Sequence, residues 1–467
     1  MKQLWKTWHM RPRDLRSRLM SETRRQGYAN ALYGVADYMV LPIGMLLAAP
    51  FLLRHLGTAQ YGVWILAGAA VSSGGIVSGS FGDAVIKYVG DCRGRADWSG
   101  VTKIVRSMIS INLVLSGILA IGLWYLTPYL TRHIVKADPG LQTICMQSLR
   151  IGSGLLLMKS IESVFISTLR AFETYGSTVR ISICSRIVIL ASAIALTRCG
   201  CNVVWIMIAT SFISGAGTIA QALALKAKIG NFLPLPSWHP MTVINIATFG
   251  SFSWLQAISA VVFSHADRFF VGFLMGAPAV AYYGLCVQAA QPIHGLISSG
   301  MHFLFPHLSA RYSIAPLSEI RSKVMLALKI NGALVIALSL PLIVFGSRFL
   351  TLWIGPVFEQ QPLLMFPTIV CSFALLGMNV TAHYVLLAAG HVRAVTYLNL
   401  LAGIAMLLVM AMLIPSYGLQ GAALARLIYG PITCLAYVYV YRIISRTEPH
   451  AFSASSPIYK RAATSTD

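Results

Sequence analysis

The chain contains few charged residues, and acidic residues are the scarcest. Of its 467 residues only 14 are Asp or Glu, and charged residues of both signs make up 11%, against about 25% in a typical soluble domain. So few charges cannot cover the surface of a soluble protein of this length, which excludes cytosolic enzymes and nucleic-acid-binding domains. The hydrophobic share of 57% indicates an all-α polytopic membrane protein.

Metal-binding patterns and large loops are also missing from the sequence. No CxxC pair or histidine cluster has zinc-ligand spacing, and we expect no metal and no cofactor. The pair Cys199 and Cys201 is too close in sequence for an unstrained disulfide. The longest loop on the side opposite the termini, 131–143, carries only Arg132, His133, Lys136 and Asp138. A polysaccharide polymerase or ligase needs a long catalytic loop on that side, so an enzyme is disfavoured.

Hydrophobic runs of about 20 residues, the length that crosses a bilayer, are present instead. They predict twelve transmembrane helices, centred on 29–53, 61–86, 105–130, 144–168, 178–197, 203–225, 243–264, 280–305, 325–352, 363–388, 394–415 and 420–443. Residues 1–28 lack an apolar core before a cleavage site, so we expect a basic amphipathic tail and no cleavable signal peptide.

The cations of the loops predict the orientation. Of the 36 Lys and Arg residues, 26 fall in the termini and the alternate loops on the same side, and six fall in the opposite loops. Cytoplasmic loops collect Lys and Arg, so both termini are predicted to lie in the cytoplasm, with the chain in the inner membrane. The net charge of +22 is therefore mainly a topology and lipid-contact signal, and we expect no nucleic-acid partner.

The two halves of the chain resemble each other. Residues 169–200 align without a gap to 387–418, and 55–62 match 274–284 with a three-residue insertion. This offset spans six helices and preserves orientation, which predicts two six-helix lobes related by a parallel repeat, as in rocking transporters. The expected division is a tail at 1–28, lobes at 29–230 and 231–446, and a tail at 447–467.

Seven segments in order carry a resemblance to a known family. They are FLLRHLGTAQYGVW (51–64), GDAVIKYVGDCRGRAD (82–97), LRAFETYG (169–176), HADRFFVGFLMGAPAVAYYGL (265–285), LFPHLSARY (304–312), LLAAGHVRAVTYLNLL (386–401) and IPSYGLQGAALA (414–425). From about residue 29 to 445 the chain resembles the Wzx-like polysaccharide flippases, which move O-antigen and exopolysaccharide units, within the MATE-like superfamily.

The resemblance implies translocation of an undecaprenyl-pyrophosphate-linked oligosaccharide by alternating access around a cationic cavity, with H⁺ or Na⁺ coupling. It implies membrane lipids and polysaccharide polymerase machinery as partners, and we expect a monomer. The alternatives are a cation-coupled multidrug exporter and a lipid II flippase of the same superfamily. Exporters favour acidic cavities, whereas the ionisable residues inside these spans are not net acidic.

Ionisable side chains inside a bilayer are costly and mark candidate sites. The cations inside the spans are predicted to bind the substrate: Arg186, Lys159, Arg426 and Arg150. Arg186 is the leading candidate for a pyrophosphate contact, because its guanidinium matches phosphate oxygens; a purely structural pairing with Glu162 or Asp37 is the alternative. For Arg150, snorkelling toward the membrane surface is the favoured interpretation.

The carboxylates inside the spans are the candidates for ion coupling. Asp37 has no cation at helical spacing within its own span and is the leading candidate, followed by Glu162, which shares a helix face with Lys159. For Lys159 and Glu162 the alternative is a self-neutralising pair that only allows the helix to insert. For Asp37, pairing with Arg186 is an equal alternative. Two further pairs are predicted to be structural or gating pairs, Asp83 with Lys87 and Asp267 with Arg268. The histidines near the eighth span, His294, His302 and His307, are expected to be packing groups.

Overall fold

The structure is a computed structural model that describes part of the chain. It covers residues 12–445 except 80, 137, 173, 231–232, 302–303, 305–307, 309–315, 356–357 and 359–363. Within that range it describes all side chains except those of 12–38, 76–79, 83, 175, 245, 247–253, 262, 317 and 444. Several residues named above lie outside the described residues: His302, His307, most of the motif at 304–312 and the tail at 447–467. Residues 1–11 also lie outside them.

The described residues form α-helices and one π-helical turn. The α-helices are α1 Pro12–Gly79, α2 Gly82–Gly94, α3 Trp98–Ile134, α4 Pro139–Ala171, α5 Tyr175–Arg198, α6 Val203–Ile229, α7 Pro240–Val261, α8 Asp267–Met275, α9 Ala277–Met301, α10 Leu317–Ile354, α11 Met365–Ala388, α12 Val392–Leu427, α13 Tyr429–Cys434 and α14 Ala436–Ile444. The π-helical turn, Val262–Ala266, joins α7 to α8.

These helices account for the twelve predicted spans. Eight segments in the described part of the chain are long and apolar enough to cross a membrane. Two of the eight, Met39–Gly75 and Val392–Ile443, are each divided by a glycine with non-helical backbone. The helices α4 and α9 supply the two remaining spans. The predicted fold class, an all-α polytopic membrane protein with twelve helices in two lobes, is confirmed.

Glycines with positive φ mark the internal repeat. Gly57 (φ 74°, ψ 165°) and Gly276 (φ 90°, ψ 173°) turn the chain between the first two helices of each lobe. Gly200 (φ 75°) and Gly418 (φ 55°) do so between the last two. An L-residue with a side chain rarely adopts such φ values. The aligned positions of the two halves therefore share an unusual backbone conformation as well as a sequence pattern.

The loops define two sides of the bundle. We call the side with the loops at Gly57, 199–202, Gly276 and Gly418 the distal side, and the side with the loops at 95–97 and 233–239 the terminal side. Short polar residues begin several helices by capping their free N–H groups: Asp97 accepts from Gly100 at 2.8 Å, and Asp138 accepts from Gly140 at 2.9 Å. The hydrogen bond from Gly100 also lowers the pKa of the Asp97 carboxyl.

The predicted second span ends earlier than expected. The sequence places it at 61–86, but α1 ends at Gly79 and a separate helix, α2, begins at Gly82. The hydrophobic sequence extends past the end of α1 because α2 also buries apolar residues: Val85 and Val89 are fully buried against other helices. Asp83 and Lys87 therefore lie on this separate helix, and Lys87 is 5.6 Å from the centre of the Tyr88 ring.

The two lobes pack most closely through the second helix of each, near the distal side. A methyl group added to Gly62 would overlap the carbonyl oxygen of Ala277 and lie 2.7 Å from its carbonyl carbon. A methyl group at Gly284 would lie 2.9 Å from the side chain of Ile65. The glycines thus allow the second half of α1 and the helix α9 to approach almost backbone to backbone, which closes the distal side between the lobes.

Candidate functional site

The C-terminal lobe contains a fully buried ion pair. Arg426 of α12 and Asp267 of α8 are both 0% exposed, and Nη1 of Arg426 donates to Oδ2 of Asp267. The same oxygen accepts from the hydroxyl of Tyr283 at 2.8 Å. The other oxygen, Oδ1, accepts from the backbone N–H of Arg268 at 2.8 Å. The carboxylate of Asp267 therefore accepts three hydrogen bonds, which offset the cost of burying its charge.

Asp267 does not form its side-chain ion pair with its neighbour Arg268, contrary to the pairing expected from the sequence. The Arg268 side chain is buried, and its Nη1 lies 3.4 Å from Nδ1 of His265. Adjacent residues on a helix point about 100° apart, so their side chains do not face each other. The cluster Asp267, Arg268 and Arg426 thus holds two guanidinium groups and one carboxylate, an excess of one positive charge.

Arg426 contacts two aromatic rings that pack edge to face against each other. Its guanidinium carbon lies 4.3 Å from the ring centre of Phe263 and 4.6 Å from that of Phe373, distances at which cation–π attraction operates. Its Nη1 also lies 3.4 Å from the carbonyl oxygen of Phe263. The other two guanidinium nitrogens, Nε and Nη2, have no hydrogen-bond partner among the described residues.

The π-helical turn at Val262–Ala266 supplies part of this arrangement. It carries both Phe263, which covers Arg426, and His265, which contacts Arg268. A π-helical turn inserts an extra residue per turn and recurs at functional sites. The sequence analysis missed Phe263, Tyr283 and Phe373, because their contacts with Arg426 and Asp267 join different helical segments and leave no local pattern.

Arg426 lines a cavity of about 520 Å³ inside the C-terminal lobe. Its wall contains four side-chain amides, two histidines, several hydroxyls and aromatic rings. The amides and histidines are Gln256, Gln291, Asn379, Asn399, His294 and His383. His294, expected to be a packing group, therefore lies on the cavity wall, and its Nδ1 is buried without a hydrogen-bond partner in the described part of the chain.

The N-terminal lobe has its own buried charges. Nζ of Lys159 donates to Oε2 of Glu162 at 2.7 Å, and the Glu162 side chain is 7% exposed whereas that of Lys159 is 32% exposed. Both residues lie on α4, three positions apart, and therefore share one face of the helix, as the sequence predicts. A methyl group at Gly217 of α6 would lie 4.0 Å from Oε1 of Glu162 and 2.7 Å from Oγ of Ser185. Three helices, α4, α5 and α6, therefore meet at Glu162.

Arg186 follows Ser185 on α5 and is half-buried. It lies about 16 Å along the helix from its terminal-side end, at 1.5 Å per residue, which is deep in the lobe. The structure thus places Arg186 next to Ser185 on α5, and its role as a pyrophosphate contact stays a prediction. Asp37 and Asp83 lie on α1 and α2, and their side chains are outside the described set.

Arg150 lies apart from these clusters. Its guanidinium carbon is 4.9 Å from the ring centre of Trp124 on α3, in a separate groove of about 320 Å³ that also contains Tyr125. Trp124 and Tyr125 are 46% and 79% exposed, so the groove faces outward from the bundle. This position is on the outside of the bundle and not in a central cavity, and the predicted substrate contact of Arg150 stays a prediction.

The Lys159–Glu162 pair has a matched control in the chain. Glu319 and Lys323 on α10 form a pair at 2.6 Å with side chains 36% and 31% exposed. We expect Glu162→Gln to lower the free energy of unfolding by roughly 1–3 kcal/mol, because it leaves Lys159 half-buried beside a neutral group. Glu319→Gln should cost less than about 1 kcal/mol, as exposed pairs do. Thermal unfolding in one detergent measures both; equal shifts would contradict the burial argument.

Comparisons with known proteins agree with this architecture. No protein-family model matches the chain. The uncharacterized membrane protein EpsK of Bacillus subtilis (strain 168) is 21% identical over 328 residues, which are 68% of this chain and 63% of EpsK. The chain thus spans less than two thirds of the length of this relative.

Solved structures match more completely. An inward-facing multidrug resistance MATE family transporter of the MOP superfamily superposes with a TM-score of 0.65 at 15% identity, covering 89% of this chain and 94% of that one. The lipid II flippase MurJ in an inward closed conformation gives 0.69 at 13% identity, covering 88% and 87%. This chain has the fold of the MOP-superfamily transporters. It is a multi-pass membrane protein whose structural neighbours are transporters and flippases.

Proposed function

We propose that the protein is a flippase that moves an undecaprenyl-pyrophosphate-linked oligosaccharide across the bacterial inner membrane by alternating access of its two lobes. The observation that carries this proposal is the buried cluster of Asp267, Arg268 and Arg426, which retains one positive charge in excess. A buried charge without a counter-ion is expensive, so the cluster favours an anionic cargo. A cationic drug would meet no free carboxylate there, because both oxygens of Asp267 are occupied.

The orientation belongs to the same proposal. We assign the terminal side to the cytoplasm, because the loops and termini on that side hold 26 of the 36 Lys and Arg residues, as cytoplasmic segments do. The contact of Gly62 with Ala277 closes the opposite side, so this conformation would receive cargo from the cytoplasmic leaflet. The lobes at 29–230 and 231–446 would be the two moving bodies, and Asp37 and Glu162 the sites at which H⁺ or Na⁺ acts.

Transbilayer movement in proteoliposomes tests the proposal. The purified chain is reconstituted with a fluorescent undecaprenyl-pyrophosphate oligosaccharide, and a membrane-impermeant quencher reports the fraction in each leaflet. We expect movement faster than in protein-free liposomes, and a dependence on an imposed H⁺ or Na⁺ gradient if an ion is coupled. Movement of lipid II alone would assign the lipid II flippase role instead. Extrusion of a cationic dye without lipid movement would replace the proposal by a multidrug exporter.

A further inference from the structure

The unpartnered edge of Arg426 has the geometry of an oxyanion site. Nη1 is occupied by Asp267, whereas Nε and Nη2 have no partner in the described part of the chain. Nε and Nη2 carry parallel N–H bonds along one edge of the guanidinium, and this edge binds a carboxylate or phosphate through two hydrogen bonds. The rings of Phe263 and Phe373 contact the group from adjacent sides, since their own centres are only 5.8 Å apart. Both nitrogens are buried in this conformation, so a ligand in the cavity reaches this edge of Arg426 when the side chains around it move.

The rest of the cavity wall is suited to a sugar. Amide side chains both donate and accept hydrogen bonds, and four of them line the cavity together with the hydroxyls of Ser298, Tyr384 and Tyr429. Oδ1 of Asn379 is a buried acceptor without a partner among the described residues. No carboxylate is among the described residues of the wall. Neutral donors and acceptors beside aromatic rings match the hydroxyls and apolar faces of a pyranose.

The size of the cavity limits the ligand. About 520 Å³ lies within the range of roughly 300–1,000 Å³ of small-molecule pockets and holds one or two sugar units, not a whole oligosaccharide. The cavity lies in the C-terminal lobe, away from Arg186 and Lys159 in the N-terminal lobe. The pyrophosphate and the sugar of one cargo molecule can therefore occupy different lobes.

We propose that the cavity of the C-terminal lobe binds a sugar unit of the cargo that carries a carboxylate, with the carboxylate on Nε and Nη2 of Arg426 and the ring hydroxyls on Asn379 and the neighbouring amides. This inference rests on the proposed function and names its substrate class, a lipid-linked oligosaccharide that contains an acidic sugar. The excess positive charge of the cluster is neutralised when the carboxylate binds.

Binding of free sugars to the full chain in detergent tests this site. Titration calorimetry compares a disaccharide that contains one glucuronic acid with the neutral disaccharide of glucose in the same linkage, and with inorganic pyrophosphate. We expect the acidic disaccharide to bind about tenfold tighter or more than the neutral one, as a charge-assisted hydrogen-bond pair gives. Equal binding of the two sugars, binding of pyrophosphate alone, or no binding of any probe would each overturn the proposal.

Variants assign the binding to the cavity. Asn379→Leu, which does not touch the ion pair, should weaken both disaccharides at least fivefold. The double variant Asp267→Asn with Arg426→Gln removes both charges together and should abolish the preference for the acidic sugar. Arg198→Gln, which removes one exposed cation from the N-terminal lobe, is the control and should leave the preference intact. Unchanged affinities for Asn379→Leu, or a retained preference for the acidic sugar in the double variant, would contradict the site.

A flipping assay separates this inference from the proposed function. Proteoliposomes receive the same undecaprenyl-pyrophosphate carrier with either the acidic or the neutral disaccharide. Faster movement of the acidic form supports both. Equal movement of both forms supports the flippase and overturns the acidic-sugar site. Movement of neither form, together with tight binding of the free acidic disaccharide, overturns the flippase and leaves the site in place.

Discussion

Replacement of Gly62 by alanine is expected to reduce transport by roughly 5- to 150-fold while the chain still inserts and folds. The added methyl group would overlap the backbone carbonyl of Ala277, and a backbone atom cannot move aside as the end of a side chain can. Overpacking of this kind costs about 1–3 kcal/mol, and the cost falls only on the conformation in which the distal side is closed. The population of that conformation should therefore fall by roughly 5- to 150-fold.

Two measurements check this expectation. The flipping rate in proteoliposomes gives the loss of transport, and spin labels at the exposed positions Arg132 and Leu352 report the distance between the lobes on the distal side. We expect longer distances for Gly62→Ala than for the unsubstituted chain. Gly68→Ala, on the same helix, is the control, because a methyl group at Gly68 would meet nothing within 4 Å. Identical behaviour of the two variants would show that closure does not depend on the glycine contact.

The substitution Arg426→Met is expected to have the largest effect on stability. It leaves the carboxylate of Asp267 fully buried and without its cation, and breaking such a pair costs about 3–5 kcal/mol. The double variant Asp267→Asn with Arg426→Met removes both charges and should recover most of that loss, because the neutral pair has no uncompensated charge. The rings of Phe263 and Phe373 pack against methionine as well.

A double-mutant cycle measures this coupling. The midpoint of thermal unfolding in detergent is determined for both single variants, the double variant and the unsubstituted chain, which gives the interaction free energy. The less buried pair Glu319–Lys323, with side chains 36% and 31% exposed, provides the same cycle closer to solvent and should give less than about 1 kcal/mol. A double variant as unstable as Arg426→Met alone would show that the arginine stabilises the lobe through its aromatic contacts rather than through Asp267.

The fold could be predicted from the sequence because the bilayer imposes a strong and local rule. Each span needs its own apolar run, and the loop cations test the count independently. The prediction was wrong at the end of the second span, where the buried residues Val85 and Val89 extend the hydrophobic run into α2, a separate helix. A hydrophobic run predicts which residues are buried, but it does not predict where one helix ends and the next begins.

The candidate site could be predicted only where its contacts are local. Lys159 and Glu162 lie three residues apart on one helix, and the structure joins them. The partner of Asp267 is Arg426, 159 residues away, whereas the sequence suggested the adjacent Arg268. A cationic cavity that includes Arg426 was expected from the resemblance, but its amides were not, since they come from several helices and none of them stands out in its own span.

The aligned glycines of the two halves carry unequal constraints on future sequence change. Gly62 faces the main chain of Ala277, whereas Gly284 faces the side chain of Ile65, which can be shortened or can change rotamer. During evolution Gly284 can therefore be replaced if residue 65 becomes smaller. Gly62 cannot be replaced in this way, because no substitution at position 277 removes the main-chain carbonyl that it faces. If the two halves descend from one duplicated ancestor, the first copy retains the stricter requirement and the second is the half that is free to diverge.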